Sequence, residues 1–223
     1  DKVIAKKTKE NDEGQRVFIE DPPRIKHVDE ETTKKIVDCY WEYQRSVRAD
    51  IRVLLASYHV EDVVRYSVGV GSFGTRCFLL LLTGSDGSHI VLQIKEALPT
   101  LFNQQALGRK ETFNRSPLAA TRIVNAQRVM QSASDPFLGE AAIDGRSFYF
   151  RQFRDMKESI DVFQLGWNGY VLYAYTCAFV LARAHAQSAT FPMIVGFINT
   201  VHKLNKGLAK WSVKYAEQVN EDY

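Results

Sequence analysis

The chain has 223 residues, of which 45% are hydrophobic and 25% are charged. These proportions are those of an ordinary globular protein with one substantial core, and they exclude a disordered or fibrous chain. The 29 basic and 26 acidic side chains leave a net charge of only +3, so no global field favours nucleic acid or an anionic membrane as a partner.

The first 28 residues change from a charged stretch to an extended one, and Pro22 and Pro23 exclude a helix at that point. We expect these residues to form an arm or linker. From Asp29, apolar side chains recur every three or four residues over residues 29–58, which predicts a helix.

After His59 the apolar period shortens to that of strands. Three strands are predicted, over residues 63–70, 76–84 and 89–97. A helix is expected over residues 117–133, then a hairpin over residues 136–154 that turns at Asp144-Gly145, and helices from Asn168 onward. This order predicts an α+β fold, with an antiparallel sheet of about five strands followed by a helical C-terminal part.

We expect one domain after the arm, with a sheet-containing lobe over residues 29–157 and a helical part over residues 158–223. The longest apolar segment, residues 170–182, is shorter than the roughly 20 residues of a membrane span, and no signal peptide opens the chain. The expected location is therefore the cytoplasm, without a membrane partner. Because the chain begins at Asp1 rather than methionine, we expect it to be a fragment of a longer protein.

The three cysteines, Cys39, Cys77 and Cys177, lie far apart and form no C-x-x-C pair. We expect them to be buried apolar residues in a reducing compartment. No histidine has a second histidine or a carboxylate at metal-ligand spacing, so the pattern predicts no metal site. No motif of a serine hydrolase or cysteine protease is present either.

The stretch GVGSFG, from Gly69 to Gly74, has the G-x-G-x-x-G spacing with which nucleotide-binding proteins bring backbone against phosphate. In a dinucleotide-binding fold the third glycine opens a helix, but here a strand follows. A P-loop would continue with G-K-[ST], and this chain does not. Two interpretations remain: a tight turn with three glycines, and the protein-kinase arrangement, in which the glycines join two antiparallel strands over ATP phosphates.

Lys95 favours the kinase arrangement, because it lies on the third predicted strand in a stretch, VLQIK, that reads like V-A-I-K. The period of a strand puts Val91 and Gln93 on the same face as Lys95. A lysine buried in such a strand needs an anionic partner or ligand, whereas one at the solvated end of a strand needs neither. The predicted helix over residues 117–133 contains no glutamate to hold Lys95, which is the main objection to an active enzyme.

The stretch Phe153-Arg-Asp-Met-Lys157 resembles the kinase catalytic-loop sequence H-R-D-L-K, but Ile160 stands where asparagine belongs. It also follows Lys95 too closely to leave room for a hinge and helices. We interpret it as the end of a strand leading into a hinge, with Asp155 and Lys157 as solvated charges. Residues 152–155 would then border an adenine pocket.

Several stretches of the chain, taken in order, resemble an uncharacterised bacterial family catalogued as domain of unknown function 2252. They are EDPP, GVGSFGTRCFLLLL, VLQIKEA, QRVMQSASDPFLG, FYFRQFRDMK, LARAHAQS and YAEQVNEDY, and the resemblance covers about residues 17–223. It implies a protein-kinase-like fold that binds a nucleotide, ATP with Mg²⁺. The candidate binding residues are Gly69, Gly71, Ser72, Gly74 and Lys95, and no catalytic residue is assigned.

The resemblance also implies a catalytic loop of the form G-D-x-H-x-x-N and a D-F-D metal motif upstream of the glycines, and this chain contains neither. Asn125 stands where the family tends to carry glutamate, and Ala189-Thr190 replaces a Gly-Asp pair. The asparagine at position 125 puts in doubt the ion pair that would hold Lys95.

The leading interpretation is the nucleotide-binding part of a permuted phosphotransferase, which is an enzyme only if an upstream catalytic segment exists. The alternative is a pseudoenzyme or scaffold with a kinase-like fold that binds a protein partner. Its contact surface would be the amphipathic C-terminal helix that carries Trp211, Val213 and Tyr215.

Overall fold

The computed structural model of the chain describes residues 2–67, 74–99, 118–153, 160–201 and 203–223. Contacts within the chain divide it into two compact units, Asp1–Ile160 and Asp161–Tyr223. The described strands all lie in the first unit, whereas the second contains helices.

The first unit alternates short helices with strands. Its helices are α1 (Lys2–Lys7), α2 (Glu30–Tyr43), α3 (Ala49–Leu55) and α4 (Leu118–Met130). Its strands are β1 (Thr8–Glu10), β2 (Arg16–Phe18), β3 (Ile25–His27), β4 (Tyr58–Tyr66), β5 (Cys77–Gly84), β6 (His89–Ala97), β7 (Gly139–Ile143) and β8 (Arg146–Gln152).

The main sheet has six strands in the order β3-β4-β5-β6-β8-β7, and every neighbouring pair is antiparallel. The predicted α+β class with an antiparallel sheet is confirmed, although one more strand, β3, joins the sheet than expected. Strands β1 and β2 form a separate two-stranded sheet. The hairpin from β7 to β8 turns at Asp144 and Gly145, whose φ angles of 49° and 70° suit the favoured two-residue hairpin turn.

The two central strands, β5 and β6, are covered on both faces. Leu79, Leu80, Leu81 and Leu82 are each 0% exposed. A strand that is buried on both faces has no solvated side and therefore no need of alternating polar residues, which explains the unbroken leucine run.

One face of the sheet packs against α2 and α3, and we call it the α2 face. Its core contains residues from the helices and from alternate positions of the strands: Ile36, Tyr40, Tyr43, Leu55, Phe78, Leu80, Leu82, Leu92, Ile94, Phe148 and Phe150. The approach of α2 to β7 is close enough to require glycine at position 139. A Cβ there would lie 2.7 Å from a ring carbon of Tyr43.

The opposite face is covered at one end by residues 2–18, and we call it the arm face. Ile4 and Phe18 are buried there against Val64, Leu79 and Leu81. The residues that the sequence suggested to be an arm or linker thus include a helix and two short strands that pack on the sheet. Elsewhere on this face, Ala119 and Ala120 of α4 pack against Ala97 of β6.

The single helix predicted over residues 29–58 is wrong, because it is two helices, and β4 begins at Tyr58. Helix α2 begins after Asp29, whose carboxylate accepts the Thr32 N–H at 2.7 Å and caps the first turn. It ends at Tyr43, where the hydroxyl of Ser46 donates to the Tyr43 carbonyl at 2.7 Å. A side chain that bonds the backbone locally competes with continuation of the helix, so the chain turns before α3.

The second unit contains α5 (Trp167–Ala186), α6 (Phe191–Thr200) and α7 (Leu204–Asp222), with a short 3₁₀ turn before them at Val162–Gln164. No described residue of these three helices is buried. Cys177 on α5 is accordingly exposed, contrary to expectation, whereas Cys39 and Cys77 are buried as expected. Within the described part of the chain, no helix combines the length and the apolar character needed to cross a bilayer.

Candidate functional site

Lys95 lies near the end of β6, directly opposite Cys77 on β5 and Tyr149 on β8. The alternation of β6 points its side chain to the arm face, together with Gln93, as the sequence predicted. Lys95 is half-buried, so its ammonium group is partly withdrawn from water. A lysine that contacts a ligand from within a sheet is expected to be partly buried, and Lys95 is.

A small polar group surrounds this position on the arm face. The amide of Gln93 donates to the sulfur of Cys77 at 3.6 Å and accepts from Nε of Arg151 at 2.9 Å. Burial raises the pKa of the Cys77 thiol, while the positive charge of Lys95, the hydrogen bond from Gln93 and the charge of Arg151 oppose that rise. Two cationic side chains therefore act on one buried thiol, which places Lys95 and Arg151 in the same electrostatic environment.

Of the predicted loop residues, Gly74 is the one that the structure describes, and Gly69, Gly71 and Ser72 lie outside the described residues. Gly74 has a φ of +81°, a left-handed conformation that side-chain-bearing residues rarely adopt. A Cβ at Gly74 would meet no atom within 4 Å, so glycine is needed there for backbone conformation rather than for space.

Helix α4 follows β6 in the chain, at the position where a kinase would carry the glutamate that holds its lysine. Its sequence contains no acidic residue. Asn125, which replaces the expected glutamate, is exposed, whereas Ala120 and Val124 are buried. Asn125 therefore belongs to the solvent-facing side of this helix and not to the side that packs on the sheet.

The residue after Lys95 carries a separate interaction on the other face of the sheet. Glu96 is buried on the α2 face, and its carboxylate pairs with Arg146 at 2.7 Å and accepts the backbone N–H of Arg76 at 3.0 Å. The sequence analysis did not single out this pair. The alternation of β6 could have indicated that Glu96 and Lys95 point to opposite faces.

The end of β8 is fixed by a buried carboxylate that the sequence pattern did not single out. Asp135 accepts the backbone N–H of Phe137 at 2.9 Å and that of Gln152 at 2.7 Å. The N–H of Phe153 donates to the Val91 carbonyl at 2.8 Å. Both backbone donors at the start of the expected hinge are therefore used within the protein, and Asp155 and Lys157 lie outside the described residues.

No group of three or more histidine, cysteine or acidic side chains that could hold a metal ion occurs within the described ranges. The candidate site consists instead of Lys95, Arg151, Gln93 and Cys77 on the arm face. This arrangement offers two cations and one amide side chain to an anion.

Comparison with known proteins identifies a family and no activity. The model of a bacterial family described as "Uncharacterized protein conserved in bacteria (DUF2252)" matches residues 1–223. Neither the curated proteins nor the solved structures contain a match to this chain.

Proposed function

We propose that this chain, which belongs to the uncharacterized bacterial family of domain of unknown function 2252, binds the phosphates of a nucleotide, ATP with Mg²⁺. The contacts would be Gly69, Gly71, Ser72, Gly74 and Lys95. The observation that carries the proposal is the register of β5 and β6, in which Lys95 is directly opposite Cys77, the first residue of the strand that follows the glycine stretch.

The electrostatics of the arm face support this proposal. A half-buried ammonium beside the guanidinium of Arg151 attracts a polyphosphate more strongly than exposed cations do, because the surrounding protein has a lower effective dielectric constant than water. Backbone N–H groups of the glycine stretch would add further donors, since glycine allows the backbone to approach an anion closely.

The order of the elements supports a kinase-like arrangement. In three consecutive antiparallel strands, β4, β5 and β6, the glycine stretch lies between the first two in sequence and the lysine lies on the third, and a helix follows. The expected adenine pocket at residues 152–155 gains no support, because the N–H groups of Gln152 and Phe153 are bonded within the protein and neither is available to donate to an adenine ring.

Phosphoryl transfer would require groups beyond these residues. In kinases, carboxylate and amide side chains of the catalytic segments hold Mg²⁺ and orient the attacking hydroxyl. The resemblance puts those segments upstream of the glycine stretch, so a phosphotransferase activity is proposed only together with such a segment.

The proposal is tested by thermal unfolding with and without Mg-ATP, on the unchanged chain and on the Lys95→Met variant. Mg-ATP should raise the unfolding midpoint of the unchanged chain, because a ligand at about 100 times its dissociation constant adds about 2.7 kcal/mol to the free energy of unfolding. In Lys95→Met most of that rise should be lost.

Lys34→Met is the matched control, since Lys34 is exposed on α2 and should leave the response to Mg-ATP intact. An unchanged midpoint in the natural chain, or an equal rise in Lys95→Met, would refute the proposal.

A second candidate, a scaffold that binds a protein partner, is favoured by the surface of α7. Trp211 and Tyr215 stack with ring centroids 5.0 Å apart and are 60% and 55% exposed. Leu208, one turn earlier, is also exposed, so the helix presents an apolar stripe. This function requires no nucleotide, so Mg-ATP would leave the unfolding midpoint unchanged.

A further inference from the structure

Beyond its apolar core, the α2 face ends in an open cleft that is lined by residues of β3, β4, β5, β6 and β8 and by Gly74 and Thr75 before β5. The cleft has a volume of about 770 Å³. Four basic side chains line it from different strands and the turn before β5: Lys26, Arg65, Arg76 and Arg146. The first turn of α2 and the ring of Phe78 form other parts of its wall.

The register of the strands brings these charges together. Lys26 on β3 is directly opposite Arg65 on β4, and Arg65 is opposite Phe78 on β5. Arg76, just before β5, lines the cleft together with Phe78. Because neighbouring strands are about 4.8 Å apart, like charges at opposite positions repel each other and destabilise the sheet. This repulsion is relieved when an anion lies between the charges.

The carboxylates that line the cleft are already engaged. Asp29 accepts the Thr32 N–H at 2.7 Å, and Glu96 pairs with Arg146 at 2.7 Å. Lys26, Arg65 and the guanidinium of Arg76 form no ion pair with any residue of the described ranges. Three cations therefore line the cleft outside any described ion pair, against one carboxylate, that of Asp29, which is hydrogen-bonded but forms no such pair either.

His27 also lines the cleft but adds no free donor. Its Nδ1 lies 3.1 Å from Glu20 and its Nε2 lies 3.1 Å from Asp62, so both ring nitrogens already have carboxylate partners.

A smaller recess continues from the cleft and is less polar. It has a volume of about 310 Å³ and shares Arg76, Phe78 and Arg146 with the cleft. The apolar part of its wall also includes Ile36, Ile143 and Phe148. Together the two cavities offer cations for an anionic group and an apolar surface for an organic group attached to it.

We infer that this cleft binds the phosphate group of a small organic phosphate ester, with the organic part in the recess. Guanidinium groups suit phosphate oxygens because their planar donors bind two oxygens at once. The cleft volume lies within the usual range of about 300–1,000 Å³ for small-ligand sites. The cleft adjoins the proposed nucleotide site at Gly74, which lines it. The cations differ, since Lys95 points to the arm face and the cations of the cleft lie on the α2 face.

Calorimetric titration of the whole chain with phenyl phosphate and with inorganic phosphate, at constant ionic strength, tests the inference. Phenyl phosphate should bind at least about fivefold more tightly than inorganic phosphate, because its ring would bury apolar area in the recess. The double variant Lys26→Gln/Arg65→Gln should bind phenyl phosphate at least about tenfold more weakly. Both side chains are exposed, so this variant should keep its fold.

Two controls separate the cleft from other cationic positions. Arg52→Gln removes an exposed charge from α3 and should leave the affinity for phenyl phosphate unchanged. Lys95→Met should also leave it unchanged. Equal affinities in the natural chain and the double variant would overturn the inference. A loss of binding in Lys95→Met would also overturn it, because the phosphate would then occupy the Lys95 site.

The separation from the nucleotide site has its own test. Saturating Mg-ATP should leave the affinity for phenyl phosphate unchanged, and the double variant should keep the thermal response to Mg-ATP. Competition between the two ligands would show that the cleft holds the nucleotide's own phosphates, which contradicts a second site. Failure of Mg-ATP binding alone would refute the proposed function and leave the cleft unaffected.

Discussion

Two tyrosines of α2, one turn apart, have different hydrogen-bonding environments in the same core. Both Tyr40 and Tyr43 are 0% exposed. The hydroxyl of Tyr43 donates to the Phe137 carbonyl at 2.7 Å, and its ring stacks on Phe150 at 4.1 Å. The hydroxyl of Tyr40 lies beside Gln44 but forms no hydrogen bond of normal geometry with any described residue. Burial raises the pKa of Tyr40 to about 12, so it remains neutral at physiological pH.

This difference predicts opposite outcomes for one chemical change. Tyr43→Phe should lower the free energy of unfolding by about 1–2 kcal/mol, because it leaves the Phe137 carbonyl without its donor. Tyr40→Phe should be neutral or slightly stabilising, since it removes a buried hydroxyl that lacks a partner. Urea unfolding measures both values, and equal losses in the two variants would contradict this account of the core.

At the scale of elements, the segment from α1 to β2 is held to the sheet by two neighbouring carboxylates of β4. Glu61 accepts the backbone N–H of Arg16 at 2.7 Å, and Asp62 accepts that of Phe18 at 2.6 Å. Glu61 also accepts from the hydroxyl of Thr83, which lies 2.8 Å from Nδ1 of His89. The attachment of this segment therefore depends on ionised Glu61 beside a neutral histidine.

The pH dependence of stability follows from these contacts. Burial, and then the charge of Arg16, lower the pKa of His89 below 6.5, although Glu61 opposes the effect. A lowered pKa means that His89 stabilises the fold above pH 6.5 and that this contribution is lost as the pH falls through its folded-state pKa. Partial burial opposes the ionisation of Glu61, but hydrogen bonds from Thr83 and Arg16 lower its pKa below 4.5. Its contribution is present above pH 4.5 and is lost at lower pH.

We therefore expect the midpoint of thermal unfolding to fall in two steps as the pH is lowered from 7 to 3. His89→Gln should flatten the first step, which lies below pH 6.5, and Glu61→Gln should flatten the second, which lies below pH 4.5. His59→Gln is the control for a nearby histidine on β4 and should leave the first step in place. If the steps survive in both variants, other groups control them.

At the scale of the whole molecule, the two units differ in how their side chains are covered. The first unit buries apolar residues on both faces of its sheet. In the second, no described residue of α5, α6 or α7 is buried. Resistance to local opening depends on buried contacts, so the two units should differ in stability.

Hydrogen exchange measured by mass spectrometry checks this difference. Backbone amides of β5 and β6 should be protected by at least about a hundredfold more than those of α5 to α7, because the strands open only when the core unfolds. Equal protection in both units would show that the chain opens as one cooperative body.

Local features of the fold could be predicted from the sequence. The strand over residues 89–97 was predicted with its observed bounds, because β-branched and apolar residues lie between clear turn residues. The Asp144-Gly145 turn and the face of Lys95 followed from turn chemistry and from the two-residue period of strands. The division between α2 and α3 could not be predicted in this way, because the apolar period continues through residues 44–48. The interruption depends on the hydrogen bond from the Ser46 hydroxyl to the Tyr43 carbonyl.

The sequence by itself determined the α+β class, the antiparallel order of the hairpins and the place of Lys95 on the strand over residues 89–97, because period, turn residues and spacing are local properties. The tertiary structure alone decided that Phe18 is buried, that Glu96 pairs with Arg146, and that Lys26, Arg65 and Arg76 line one cleft. These relations join residues that are far apart in the chain, as Glu96 and Arg146 are, 50 positions from each other. The pairing of distant strands depends on the free energy of the whole core, which no local pattern specifies.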